Sequence, residues 1–99
     1  MAKKERSLQI VNPHAAGIDV GSRSHYVAVD QHASHVKAFG VYTKDHLLLI
    51  EHLRNAGVTT IAMESTGNYW QTLFNALQAV GFEVLLVNGG VCYMTTGKI

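Results

Sequence analysis

The 99-residue sequence predicts an α/β domain of order βββαβαβ, with a mixed sheet of five strands that is antiparallel in its first part and parallel in its second. Three observations predict it. Three short strand-like segments follow one another with only turn residues between them, as an antiparallel meander requires. Two segments of helical period come next, each stopped by a glycine, Gly57 and Gly81. Each is followed at once by an apolar run of strand length, so the crossovers are long enough to return parallel to the first strand.

Residues 1–14 mix charges with Leu8, Ile10 and Val11 and break at Asn12-Pro13, so they read as a lead-in to the domain. The meander spans residues 15–20, 25–30 and 35–41, with turns at Gly21-Ser22 and at Gln31-His32-Ala33-Ser34. Thr43 is the expected cap of a helix over 44–56, whose stripe is Leu49, Ile50, Leu53 and Ala56 and whose first turn carries Asp45. The fourth strand is expected over 58–63. Thr66 or Asn68 caps a second helix over 69–80, with Trp70, Leu73, Phe74, Leu77 and Val80 on its apolar face. Residues 82–88 read as a buried fifth strand. From Gly89 to Ile99 no period is legible, and this segment is expected to be an irregular tail left by truncation or a frameshift.

Composition bounds the function without naming it. Hydrophobic residues make up 47% and charged residues 15%, the balance of one small globular domain. A net charge of +1 carries no electrostatic signature of nucleic acid or membrane. Cys92 is the sole cysteine, which excludes an internal disulfide, and no Cys/His spacing resembles a zinc site. The polar start and the lack of a long apolar segment predict a cytoplasmic protein without a membrane anchor.

Two acids carry the chemistry. Asp19 stands in the run Ala15-Ala-Gly-Ile-Asp-Val-Gly-Ser22, between Gly17 and Gly21, and Glu64 ends the run Val58-Thr-Thr-Ile-Ala-Met-Glu64. An acid in an apolar strand costs desolvation and usually serves a metal, a phosphate or a turn. If the first and fourth strands are neighbours, the two carboxylates converge, and a divalent cation with oxygen ligands, Mg²⁺ or Mn²⁺, would relieve their repulsion. The competing roles are a turn cap for Asp19 and a helix-start charge for Glu64. His14, His25, His32, His35, His46 and His52 have no ligand spacing and are expected at the surface or in turns; Trp70 is expected in the core; Arg23 and Lys44 are expected in solvent.

Layout and local words together point to a family. The order βββαβαβ, with acids on strands one and four, is that of the front half of a ribonuclease H-like domain. Gly17-Ile-Asp-Val-Gly-Ser22, Val27-Ala-Val-Asp30, Ala62-Met-Glu-Ser-Thr-Gly-Asn-Tyr-Trp70 and Val84-Leu-Leu-Val-Asn88 resemble the RuvC-like amino-terminal domain of DEDD transposases of the insertion-sequence-110 type, relatives of the pilin-gene invertase. The resemblance covers residues 15–88. It implies a DNA recombinase ancestry, with Asp19 and Glu64 as the first two acids of the DEDD tetrad and as ligands of Mg²⁺ or Mn²⁺. It also implies DNA and a guide RNA as partners. Family members carry two further acids in a Lys-Thr-Asp-like word and a serine-bearing domain, whereas this sequence has no Asp or Glu after Glu83. The expectation is therefore a transposase fragment that is inactive alone and self-associates through exposed sheet surface. Two other readings remain: an actin-like or sugar-kinase phosphate loop at Gly17–Ser22, and a nucleic-acid-binding fragment without chemistry.

Overall fold

The structure is a computed structural model that describes residues 14–29, 36–65, 67, 69–88 and 91–94. Its strands are β1 (Ala15–Val20), β2 (His25–Ala28), β3 (Lys37–Phe39), β4 (Thr60–Ser65), β5 (Glu83–Asn88) and β6 (Val91–Met94). Its helices are α1 (Thr43–Asn55) and α2 (Trp70–Ala79). The sheet order is β3-β2-β1-β4-β5-β6. The pairs β1–β2 and β2–β3 are antiparallel, and β4 and β5 run parallel to β1. The five expected strands and two helices are present, and the topology is compatible with a ribonuclease H-like fold. Within the segment expected to be irregular, Val91–Met94 adds a sixth, antiparallel strand on β5. Its two-residue connection from Asn88 is of hairpin length, a signal that the aperiodic composition masked. The lead-in up to Pro13, Asp30, the turn at 31–34, the caps Thr66 and Asn68, and residues 95–99 lie outside the described residues.

Among the described residues, one face of the sheet is packed and the other is open. Ala16, Ile18 and Val20 of β1, Val27 of β2, Ile61 and Met63 of β4, and Val84 and Leu86 of β5 alternate onto a single face. There they meet Leu49, Ile50 and Leu53 of α1 and Leu73, Phe74 and Leu77 of α2 in one continuous core. Both crossovers thus lay their helices on the same side, the consequence of two right-handed connections that progress in the same direction across the sheet. Of the alternate residues of β5, Glu83 is exposed and Leu85 and Val87 are half-buried, so this strand is fully buried on one side rather than on both.

Both helices end alike. The N–H of Gly57 donates to Arg54 O (3.0 Å) and that of Val58 to Leu53 O (3.1 Å); Gly81 donates to Gln78 O (3.0 Å) and Phe82 to Leu77 O (3.2 Å). These are two Schellman motifs, with the glycine in the left-handed region (φ 77° and 102°) and the next residue, Val58 or Phe82, buried beside the leucine that accepts its bond. The apolar residue after each glycine therefore both ends a helix and directs the chain into a strand. The start of α1 differs from expectation: Tyr42 is the cap and Thr43 the first helical residue. Asp45 decides this, because its Oδ2 accepts the Tyr42 N–H at 3.1 Å and stabilises the turn one residue earlier. Ala56, expected on the buried stripe, is exposed, and His46 takes a place on that stripe instead.

Replacing Gly57 or Gly81 by alanine should cost about 1–2 kcal/mol each, since a Cβ in the left-handed region is strained. Urea titration should show a lower midpoint with an unchanged slope; an unchanged midpoint would mean that the helix ends do not rely on the left-handed turn.

Candidate functional site

Asp19 and Glu64 are direct register partners on the parallel strands β1 and β4. Each is the fifth of six residues in its strand, so both lie near the carboxyl ends. Adjacent strands are about 4.8 Å apart, which sets the separation of the two backbones. Their neighbours in register, Ile18 with Met63, point into the core, so the acids point to the open face. Asp19 is exposed and Glu64 half-buried. The sequence alone made Asp19 look like a charge within a buried strand; among the described residues β1 packs against the helices by one face only, and Asp19 lies exposed on the other.

The position matters as much as the pairing. From β1 the chain turns to β2 on one side, while the return through α1 places β4 on the other and α2 leads onward to β5. Connections diverge at the β1–β4 boundary, and in open α/β sheets the space outside the carboxyl ends at such a divergence is where ligands bind.

No other described acid joins the pair. Glu83 sits at the opposite end of the strands, where its Oε1 accepts the Thr60 hydroxyl at 3.2 Å. Asp45 is engaged at the start of α1, and Glu51 is exposed on that helix. Among the described residues there is no group of three or more Asp, Glu, His or Cys side chains arranged to hold a metal. Two carboxylates on an open, solvated face offer oxygen donors that suit Mg²⁺ or Mn²⁺, with water completing the shell.

Beyond Asp19 the chain turns sharply. A Cβ at Gly21 would lie 2.6 Å from Ser24 O, so only glycine permits this close approach of backbone to backbone. The Gly21 N–H donates to Nδ1 of His25 (3.4 Å), and that ring is 5.8 Å from the ring of His46 on α1. His25 (2% exposed) and His46 (4%) are buried, contrary to the surface or turn roles expected of them. Strand alternation turns His25 onto the packed face with Val27, and helical spacing places His46 one turn before Leu49 and Ile50. Burial pushes both imidazoles below their ordinary range; for His25 the neighbouring His46 adds to this, and for both Asp45 opposes it. His52, against the Phe39 ring at 5.5 Å, is lowered by burial and then by Lys37. Burial thus favours the neutral form of all three rings. Arg23 and Lys44 are exposed, and Trp70 is partly buried with its ring edge-on to Phe74, as expected. Ser65 is buried, and its Oγ both accepts the Gly67 N–H and donates to Gly67 O (3.3 Å each), which makes it part of the turn after β4.

A mixed α/β sheet with an acid pair at the carboxyl ends of its two central parallel strands defines the class: an α/β domain compatible with a ribonuclease H-like fold. The particular family follows from comparison: a family model described as a transposase, of the DEDD insertion-sequence-110 type, matches residues 16–94, and the chain belongs to that family. No significant match was found among curated proteins or solved structures. Among the described residues, no helix is long and apolar enough to cross a membrane.

The three depressed histidines fix the sign of a pH effect. Each folded-state value lies below the ordinary 6.5, so the unfolded chain binds more protons and the stability held by neutral rings is complete above about pH 6.5 and lost as pH falls below it. Urea midpoints measured from pH 7.5 to 4.5 should decline, and His46→Leu, which suits the apolar stripe, should flatten the decline. An equally steep decline in that variant would show that His46 does not contribute to the effect.

Proposed function

We propose that this chain is a RuvC-like DNA-binding domain of a transposase, that Asp19 and Glu64 are its metal ligands and the first two acids of the DEDD set, and that it does not cut or join DNA by itself. The observation that carries this reading is the register pairing of Asp19 with Glu64 on the open face of a chain that belongs to a transposase family. The family uses divalent metals, and Asp19 and Glu64 would hold such an ion. When bound, it would activate an attacking oxygen and stabilise a leaving oxygen at a phosphodiester. The protein's own part is to bring two carboxylates together on a rigid pair of strands and to leave them open to a nucleic-acid backbone. Family membership gives the phosphate-loop alternative no support.

Inactivity in isolation follows from ligand count. A two-metal site needs more fixed donors than two carboxylates, and the described residues bring no third to them. Isothermal titration with Mn²⁺ should show one weak site, of about millimolar affinity, that is lost in Asp19→Asn and in Glu64→Gln. Binding that survives both substitutions would remove the metal assignment. Purified protein should show no Mg²⁺-dependent cleavage or strand transfer on branched or insertion-site DNA, with or without guide RNA. Cleavage that disappears in both Asp19→Ala and Glu64→Ala would overturn the claim of inactivity and require further acids from a second chain.

The open sheet face supports a second expectation. Leu85 and Val87 of β5 and Tyr26 of β2 present apolar surface there without a covering layer in the described residues. Light scattering should detect self-association that rises with concentration and falls in Leu85→Lys; a monomer at all concentrations would contradict it.

A further inference from the structure

Sheet register places a tyrosine beside the acid pair. Asp19 pairs with Tyr26 across the β1–β2 hairpin, Tyr26 with Ala38 of β3, and Glu64 with Val87 of β5. One row across the open face therefore reads Ala38, Tyr26, Asp19, Glu64, Val87. The next row reads Ala28, Gly17, Ala62, Leu85. The register neighbours of Tyr26 on its own face, Ala38, Ala28, Gly17 and Asp19, have side chains too small to cover an aromatic ring, and Val36, which alternates with Ala38 on that face, is itself exposed. Although β2 lies between two other strands, the residue is 48% exposed. An interior strand normally buries an aromatic ring against large cross-strand partners. Here the small neighbours leave one ring exposed in the same row as the two acids.

We propose that Tyr26 is a nucleic-acid-positioning residue, whose ring stacks on an unpaired base or sugar of the strand brought to Asp19 and Glu64. The inference rests on the reading of this face as a DNA-binding surface and adds the residue that holds the strand there. Charge explains why an aromatic is suited to the place. A phosphate beside two carboxylates is repelled until a cation is present, whereas a base π-face is attracted to a ring without any charge. The carboxyl ends of β1 and β4 then receive a strand that is anchored on the β2 side, one residue width from the acids.

The test is equilibrium binding of fluorescently labelled single-stranded and branched DNA at low salt with Ca²⁺. The proteins are the wild-type chain, Tyr26→Phe, Tyr26→Thr and the control Tyr42→Ala. Threonine favours a strand but lacks the ring, so the fold is kept, and a matching urea midpoint verifies this. Tyr42 is 70% exposed at the start of α1, on the packed side of the sheet. Tyr26→Thr should weaken binding about fivefold or more, while Tyr26→Phe and Tyr42→Ala bind as the wild type does. A 2-aminopurine placed along the strand should be quenched at one position by wild type and Tyr26→Phe and not by Tyr26→Thr. Wild-type binding with an unaltered Tyr26→Thr overturns this inference and leaves the proposed function standing. Equal losses in Tyr26→Phe and Tyr26→Thr would assign the contact to the hydroxyl and overturn stacking. Absence of wild-type binding to either DNA would instead bring down the proposed function, and the inference with it.

Discussion

The parallel pairing of β1 with β4 is the constraint on which the rest depends. Six consecutive residues of each strand are in register, from Ala15 with Thr60 to Val20 with Ser65. Because side chains alternate, this single register sends Ile18 and Met63 into the core and Asp19 and Glu64 out of it together. A slip of one residue on either strand would drive one acid beneath the helices and expose a core residue in its place. Burial of the Ile18 and Met63 row therefore enforces the juxtaposition of the acids, and the energy that holds the candidate site is hydrophobic although the site is charged.

That register is held from both sides. On the α1 side, the Schellman turn at Gly57 delivers Val58 into the core immediately before β4 begins; on the α2 side, Gly81 does the same with Phe82 before β5. On the hairpin side, His25 accepts the Gly21 N–H and packs against His46, so the turn that follows Asp19 is tied to the helix beneath the sheet. The buried Nε2 of His46 has no hydrogen-bond partner among the described residues, which makes a charged ring there costly. The turn next to Asp19 is thus tied to two histidines whose neutral forms burial favours.

Membership of a transposase family and a one-sided sheet are complementary facts. The packed face accounts for stability; the face left open among the described residues carries Asp19, Glu64 and Tyr26. A domain of this kind can present the acids without completing a two-metal centre, since completion needs donors that the described part of this chain does not bring to them.

Much of this was legible in the sequence. Gly57 and Gly81, the two helical stripes, and the word around Glu64 determined the order of elements and both crossovers, because helix stops and apolar periods are local signals, although Ala56 and Val80, expected to end those stripes, are exposed. Asp19 and Glu64 stood out because a charge in an apolar run is conspicuous in one dimension. Tertiary structure alone decided what depends on register and on which face is covered: that β1 is buried on one side only, that the two acids are direct partners, that Tyr26 joins their row, and that His25 and His46 meet in the core. It also decided the small shifts, with Asp45 moving the start of α1 to Tyr42 and hairpin pairing with β5 ordering Val91–Met94. Periodicity fixes where a side chain lies on its own element, but what it faces is set by how elements pair, and pairing is a property of the whole sheet.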